Sequence, residues 1–221
     1  DGAEFSMSIF NADGSRAEQC GNGVRCLAKY AVRKGFTKRD RFAIASSGKV
    51  IDLRLLDYER VSCDMGVPIF EPDLIPFVAS VQAPWYDLPL EGEIVRIGAV
   101  SMGNPHAVTQ VKDVRNADVE RIGALVESHS RFPNRVNASF MQVLNKDEIR
   151  LRVFERGVGE TRACGTGACA AVAVGRRNGL LNANVNVQLN GGTLSISWGG
   201  GSSSVWMTGP ATWVYEGKID V

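Results

Sequence analysis

Short stretches in which apolar and polar residues alternate recur along the chain, and this pattern is typical of half-buried β-strands. Frequent glycine and proline residues separate them, as expected for turns between many short strands. We expect strands at residues 5–10, 49–56, 60–65, 93–102, 139–144, 149–155, 185–189, 192–198 and 203–208. Three other segments, residues 22–34, 116–129 and 165–178, fit helices. Gly35 and Gly179 follow the first and third, and glycine is the preferred residue just past a helix C-terminus.

The first and third of these helices each follow a cysteine and a Gly-x-Gly tripeptide, in QCGNGVRC at 19–26 and ACGTGACA at 163–170. The two cysteines, Cys20 and Cys164, are 164 − 20 = 144 residues apart. At that offset, without a gap, the sequence also matches Phe10 with Phe154, Gly21 with Gly165, Gly23 with Gly167, Arg33 with Arg177, Gly35 with Gly179, Gly48 with Gly192 and Val61 with Val205. One register held over this length indicates a duplicated unit. Two copies of one unit tend to pack about a pseudo-twofold axis, with equivalent residues facing each other.

Composition narrows the class of protein. With 221 residues, 44% hydrophobic and 22% charged, the chain is long enough for one large or two small globular domains. A net charge of +1, without a basic run, argues against nucleic acid as a partner. No apolar stretch is long enough to span a membrane. Five cysteines, an odd number in a chain of this size, disfavour a secreted disulfide framework and favour a reducing cytoplasm.

The setting of Cys20 and Cys164 predicts a specific chemistry. A cysteine just before a helix lies at the positive end of the helix dipole, which favours the thiolate and lowers the thiol pKa. The free N–H groups of the first helical turn can bind an anion, and glycines let a ligand approach the backbone. Two such thiols on opposite sides of one ligand form a two-base site. One thiolate removes a proton from carbon and the other thiol returns one to the opposite face, which inverts a stereocentre.

Other interpretations of the cysteines stay open. Cys26, Cys63 and Cys169 are expected to be small buried hydrophobic residues. A zinc site would use spacings of Cys-x5-Cys and Cys-x4-Cys, which differ from the short Cys-x2-Cys pattern, so no metal is expected. A phosphate loop would lack the P-loop lysine. A Cys–His nucleophile with His106 would leave one of the two thiols unused, and His129 is expected to be an exposed histidine at a helix end.

Four segments, FNADGS, EQCGNGVRC, SMGNPH and ERGVGETRACGTGACAA, together resemble the diaminopimelate epimerase family, and the resemblance runs along nearly the whole chain. It implies a cytoplasmic enzyme without a cofactor that interconverts LL- and meso-diaminopimelate, on the route to lysine and peptidoglycan. A small-molecule substrate and a second copy of the chain, in a homodimer, are the partners that it implies.

The resemblance also implies a fold. This is an α/β (α+β) fold of two pseudo-symmetric domains, each a curved, mostly antiparallel sheet or barrel around a central helix, with the site in the cleft between them. We accordingly expect one half to comprise residues 1–64 plus 211–221 and the other half residues 65–210. Because family members begin with several dozen residues that precede Asp1, we expect the first half to lack its initial strands.

The family's site residues map onto the matching motifs. Cys20 and Cys164 correspond to the acid and base, and His106 and Glu155 to groups that orient or tune the thiols. The carboxylate at the reacting carbon is expected to bind at the helix N-termini, to Gly21, Asn22, Gly165 and Thr166. The distal end of the substrate is expected to contact Asn11, Asn104, Asn137, Glu155 and Arg156. Arg156 suits a carboxylate because its fork can bind two oxygens, and Glu155 can accept a hydrogen bond from an ammonium.

Two other functions compete with this one. A proline or hydroxyproline racemase also uses paired thiols, but its substrate has no distal amino-acid end to contact Arg156 and the asparagines. A non-catalytic redox or binding protein would instead join Cys20 and Cys164 in a switchable disulfide.

Overall fold

The computed structural model describes residues 2–10, 14, 21–46 and 48–218. Within these ranges the chain forms three α-helices, α1 (Gly21–Arg33), α2 (Val119–Glu127) and α3 (Gly165–Arg177). The strands are β1 (Phe5–Met7), β2 (Arg41–Ser46), β3 (Lys49–Leu55), β4 (Arg60–Asp64), β5 (Tyr86–Leu90), β6 (Glu93–Ser101), β7 (Pro105–Gln110), β8 (Asn137–Asn145), β9 (Glu148–Glu155), β10 (Gly159–Thr161), β11 (Asn184–Leu189), β12 (Gly192–Trp198) and β13 (Val205–Pro210). None of the helices in the described ranges is long and apolar enough to cross a membrane.

The strands form one continuous sheet. Its order is β1-β2-β3-β4-β13-β12-β11-β9-β8-β7-β6-β5, and β10 pairs with β9. Among the described strands, the pairs β1–β2, β9–β11 and β7–β8 are parallel and the others antiparallel. The expected mixed α/β fold with a mostly antiparallel sheet is therefore confirmed.

The sequence repeat is visible as a structural duplication. Helices α1 and α3 have the same length and begin 165 − 21 = 144 residues apart. The antiparallel pairing of β4 with β13 sets Cys63 opposite Met207, and these two positions also differ by 207 − 63 = 144. Equivalent residues of the two copies thus face each other at this strand pair, as expected for a pseudo-twofold axis.

The gapless register expected from the sequence is wrong in one hairpin. Ser46 pairs with Lys49 in the first copy, and Leu189 pairs with Gly192 in the second, so the equivalent offset there is 189 − 46 = 143. Gly48 therefore corresponds to Gly191 rather than to Gly192. The second copy has one residue fewer than the first between its helix and its hairpin, and one residue more between its hairpin and β13. Such changes fall in turns because a turn accepts a single insertion, whereas a paired strand does not.

Each expected strand region contains a strand, but β2, β5, β7 and β10 were not anticipated. Strand β2 is a nearly continuous buried run and does not alternate. Strand β7 begins with Pro105, and β5 contains Pro89, which the sheet accommodates because β5 is its last strand. Helix α2 is shorter than expected because Val114–Asn116 forms a separate 3-10 turn before it.

Helix α3 lies in the main hydrophobic core, and every residue from Gly165 to Gly175 is buried. Its small side chains let strands approach on several sides, including β6, β7, β12 and β13. A Cβ at Gly98 of β6 would collide with Val174 of the helix, so glycine is required at that contact. A second hydrophobic cluster packs around α2 and contains Phe140. The result is a rigid support for the N-terminus of α3.

Residues 211–218 return to the outer side of α1. Trp213 stacks on Tyr30 with ring centroids 6.2 Å apart, and the guanidinium of Arg33 lies 4.1 Å from the Trp213 ring. Lys34 and Glu216 form an exposed ion pair of 3.1 Å. These contacts associate the end of the described chain with the first helix rather than with α3.

Candidate active site

The N-termini of α1 and α3 meet around one methionine. A Cβ placed on Gly21 would lie 2.5 Å from Cε of Met207, and one placed on Gly165 would lie 3.0 Å from its Sδ. Asn22 Oδ1 is 4.0 Å from that same Cβ position at Gly165. Both first turns must therefore begin with glycine for the helix ends to come this close, and their free N–H groups open onto one region.

Two of the expected site residues, Asn11 and Cys20, lie outside the described residues. Cys20 immediately precedes α1 in the sequence, where its counterpart Cys164 immediately precedes α3. The second thiol, that of Cys164, lies within the described residues.

Cys164 caps helix α3 with its sulfur. Its backbone is extended, and its Sγ accepts a hydrogen bond of 3.4 Å from the N–H of Gly167. The hydroxyl of Thr166 lies 3.6 Å from the same sulfur. The residue is 5% exposed, so the thiol is held in a fixed orientation inside the protein.

The expectation of a lowered thiol pKa is wrong for Cys164. Burial, and after it the charge of Glu155, raise the pKa of this thiol to about 12, and the hydrogen bonds from Thr166 and Gly167 offset the two only in part. Desolvation therefore outweighs the helix N-terminus. In this state Cys164 is a thiol at neutral pH, which suits it to donate a proton.

Glu155 lies at the end of β9 beside the Cys164 thiol. Its carboxylate accepts a hydrogen bond from the hydroxyl of Thr161 on the adjacent strand β10, which pairs with β9. The carboxylate is thereby anchored on one side and faces the thiol on the other. The structure thus brings Glu155 and Cys164 together.

His106 reaches the thiol through two intermediates. Burial, and after it the charge of Arg156, lower the pKa of His106 to about 3, so the ring is neutral. Its Nε2 lies 3.1 Å from Oδ1 of Asn104, and Asn104 Nδ2 donates to Thr166 Oγ1 at 3.4 Å. Because an amide oxygen only accepts, Nε2 carries the proton. Within the described ranges the buried Nδ1 has no hydrogen-bond partner.

Asn137 and Arg156 are joined through the backbone. Asn137 is buried, its Nδ2 donates to the carbonyl of Pro105 at 2.9 Å, and its Oδ1 accepts from the N–H of Arg156 at 3.0 Å. The Arg156 guanidinium donates to the carbonyl of Asn134 at 3.2 Å. Asn137 thus fixes the turn that carries Arg156.

Sequence reasoning missed two charged residues at this site. Buried Glu127 accepts a hydrogen bond of 2.9 Å from the N–H of Gly157 and is paired with Arg135 at 3.1 Å, so it holds the turn after Arg156. The available signal was an acidic residue in the last turn of a helix, where the dipole disfavours it. The second missed residue is Arg25, a buried arginine in α1 that contacts Asn22.

Other features of the described chain do not compete with this site. A cavity of about 600 Å³ is lined by Trp85, Arg96, Phe140 and their neighbours, and it contains none of the expected site residues. Within the described part of the chain, no three His, Cys, Asp or Glu side chains are grouped so as to hold a metal ion. His129, expected to be exposed, uses its Nε2 to contact the carbonyl of Pro89 at 3.0 Å.

Solved structures identify the class of fold. A hydroxyproline epimerase from Agrobacterium vitis, with bound trans-4-hydroxy-L-proline, matches 97% of this chain and 70% of its own at 15% identity and a TM-score of 0.69. A probable proline racemase from Agrobacterium radiobacter matches at 15% identity and a TM-score of 0.66 over 97% and 72% of the two chains. A PhzF-family phenazine biosynthesis protein from Enterococcus faecalis matches at 13% identity and 0.62, over 93% and 74%. The fold is therefore the one that these hydroxyproline epimerase, proline racemase and PhzF-family structures share.

Sequence comparison identifies the family. The family model for diaminopimelate epimerase matches residues 1–71 and 98–214. The diaminopimelate epimerase of Alkalilimnicola ehrlichii is 55% identical over 219 residues, which are 98% of this chain and 78% of that protein. The one from Thioalkalivibrio sulfidiphilus is 52% identical over 220 residues, or 99% and 79%. The chain belongs to the diaminopimelate epimerase family.

Proposed function

We propose that this protein interconverts LL- and meso-diaminopimelate by a two-thiol mechanism in which Cys20 and Cys164 act on opposite faces of one α-carbon. The observation that carries the proposal is the meeting of two helix N-termini at Met207, each headed in the sequence by a cysteine. The high identity to diaminopimelate epimerases supports the choice of substrate.

In the proposed reaction the α-carboxylate of the substrate binds between the two helix ends. The backbone N–H groups at Gly21, Asn22, Gly165 and Thr166 hold its oxygens and stabilise the negative charge that develops as the α-proton leaves. These donors are fixed by the helices, so they need not reorganise during the reaction.

Proton transfer then balances across the two thiols. The Cys20 thiolate takes the α-proton from one face as the C–H bond breaks. The Cys164 thiol gives its proton to the opposite face as the new C–H bond forms, and becomes a thiolate. The raised pKa of Cys164 fits the donor role, and the next turnover in the reverse direction exchanges the two roles.

The distal amino-acid end of the substrate is assigned to the turn after β9. Arg156 binds the distal carboxylate and Glu155 accepts from the distal ammonium, while Asn11, Asn104 and Asn137 supply further hydrogen bonds. This set favours diaminopimelate over proline-type substrates, which have no second amino-acid end. A proline or hydroxyproline racemase, the alternative that the fold allows, would leave Arg156 and Glu155 without a ligand.

The remaining parts of the proposal concern the whole molecule. We propose one half formed by residues 1–64 plus 211–221 and another by residues 65–210, which is supported by the packing of Trp213 on α1. We further propose a cytoplasmic homodimer that acts without a cofactor on a free amino acid.

Exchange of the α-proton with solvent tests the proposed function. LL-diaminopimelate is incubated with the protein in D2O under a thiol reductant, and deuterium incorporation and stereochemistry are followed by mass spectrometry and chiral chromatography. We expect incorporation of deuterium together with formation of the meso isomer, and no incorporation into L-proline. Cys26→Ala serves as the matched control. The expectation that Cys26 is buried is wrong, because it lies on the exposed side of α1. Deuterium in proline but not in diaminopimelate would favour the racemase instead.

A further inference from the structure

Arg25 is a buried cation beside the N-terminus of α1. The residue is 5% exposed. Its Nη2 donates to Oδ1 of Asn22 at 2.9 Å, and its Nη1 to the carbonyl of Gly21 at 3.3 Å. Its Nε donates to the carbonyl of Pro210 at 3.4 Å, and Nη1 also lies 3.7 Å from the Met207 sulfur. The guanidinium therefore connects α1 with β13 at the point where the two helix ends meet.

All of these acceptors are neutral. None of the ion pairs among the described residues involves Arg25. A buried charge without a counter-ion is costly, and neutral dipoles compensate it only in part. The positive end of the α1 dipole lies on the same side, which makes this end of the helix more positive still. Such a region is complementary to an anion.

The second copy of the repeat has no such cation. The position equivalent to Arg25 is 25 + 144 = 169, which is Cys169. The charge beside the second thiol, Cys164, is instead the carboxylate of Glu155. The two helices therefore have the same length but charges of opposite sign beside their N-termini.

The hydrogen bond from Arg25 also fixes the orientation of Asn22. Because the amide oxygen of Asn22 accepts from the guanidinium, its Nδ2 must point the other way. Within the described ranges no acceptor contacts that Nδ2, so its N–H groups are left to donate to a ligand at the helix end. A lysine in place of Arg25 would keep the charge but could not make the same set of directed hydrogen bonds.

We propose that Arg25 is a positioning residue that orients Asn22 toward the substrate carboxylate and makes the α1 end the stronger of the two carboxylate-binding helix N-termini. This inference rests on the proposed function for its substrate, but its electrostatic part can be tested without turnover. Arg25 does not itself touch the substrate; it acts through Asn22 and through its charge.

A double-mutant cycle tests the action through Asn22. The dissociation constant of meso-diaminopimelate is measured by calorimetry for the parent, Arg25→Lys, Asn22→Ala and the double variant, with Arg33→Lys as a control on the same helix. We expect each single change to weaken binding by about 10- to 100-fold and the double variant to be no more than about twofold worse than Asn22→Ala. Losses that multiply in the double variant would overturn the positioning role.

Alkylation with a neutral and an anionic reagent tests the charge. Rates of modification at Cys20 by iodoacetate and by iodoacetamide are measured by peptide mass spectrometry, with N-acetylcysteine as the reference thiol. We expect the protein to favour iodoacetate, Arg25→Lys to retain that preference, and Arg25→Met to reduce it about tenfold. An unchanged preference in Arg25→Met would contradict the proposal.

The proposed function and the proposed role of Arg25 can fail independently of each other. A parent protein that does not epimerise diaminopimelate would remove the proposed function, while the alkylation preference would still report on Arg25. If Arg25→Met does not fold, judged by thermal melting, Arg25→Gln replaces it as the uncharged variant in the same measurement.

Discussion

Helices α1 and α3 occupy equivalent places in the repeat but very different surroundings. In α3 every residue from Gly165 to Gly175 is buried among strands, and none of these is charged. In α1 the buried set includes Arg25 and Lys29, and other positions face outward. The duplication has thus preserved a helix of the same length while the charges around it have diverged. Burial and Glu155 raise the pKa of the Cys164 thiol, which shows that the repeated motif alone does not determine the chemistry of its cysteine.

The strongest test of the comparison removes each thiol in turn. We expect Cys20→Ala and Cys164→Ala each to lower the rate of epimerisation by at least ~10²–10⁴, because a proton taken from one face can no longer be returned to the other. The measurement is conversion of LL- to meso-diaminopimelate followed by chiral chromatography. Cys26→Ala should retain full activity; an inactive Cys26→Ala beside an active Cys20→Ala would show that the wrong cysteine was assigned in α1.

Four of the five residues that we propose for the distal end of the substrate lie within residues 65–210, and Arg156 carries the positive charge among them. Arg156→Lys is expected to lower kcat/KM for diaminopimelate by about 10- to 100-fold, since lysine keeps the charge but loses the two-pronged grip on a carboxylate. Binding of a short amino acid such as alanine should change much less. Competition assays with both ligands measure this difference, and equal losses would place Arg156 outside the distal site.

A smaller effect is expected at Glu127, which supports the second half through the Gly157 turn. Glu127→Gln keeps an oxygen for the Gly157 N–H but loses the ion pair with Arg135. We expect a loss of about 1–3 kcal/mol in the free energy of unfolding and a several-fold rise in KM. Urea unfolding and steady-state kinetics measure the two, with exposed Glu120→Gln as the control. If Glu127→Gln is destabilised but keeps the wild-type KM, Glu127 contributes to stability and not to substrate binding.

A pH dependence of stability is expected from His106, with no loss of stability at neutral pH. Its pKa is lowered from 6.5 to about 3 in the folded protein, so below pH 6.5 the unfolded chain gains a proton that the folded one does not. The contribution of neutral His106 to the free energy of unfolding is thus fully present above pH 6.5. It is lost as the pH falls toward 3, by up to about 1.4 kcal/mol per pH unit. His106→Gln should reduce this slope in urea unfolding between pH 6 and 4. If the slope is the same in His106→Gln, the pH dependence of stability comes from other groups.

Local features of this molecule were predictable from the sequence, and features that depend on distant residues were not. Both helices of the repeat, and the strands that alternate clearly, lie where the pattern indicated. The pKa of Cys164 was misjudged because it depends on burial by strands and on Glu155, not on the helix alone. The partners of Arg25 include Pro210, 185 residues away, and no local pattern reports such a contact. The one-residue shift of the second hairpin was hidden because a chance Gly48–Gly192 match preserved the apparent register.

Controlled oxidation tests most directly whether Cys20 and Cys164 face each other across one substrate carbon. The protein is treated with diamide, with and without diaminopimelate, and disulfides are mapped by non-reducing peptide mass spectrometry. A disulfide needs Cα atoms about 4.4–6.8 Å apart, which two thiols that close on one carbon can reach when no ligand separates them. We predict a Cys20–Cys164 bond that forms without substrate, abolishes epimerisation without unfolding, is prevented by diaminopimelate and is reversed by dithiothreitol. Disulfides that join either residue only to Cys26, Cys63 or Cys169, or an active protein in which the Cys20–Cys164 bond is intact, would contradict the two-thiol site.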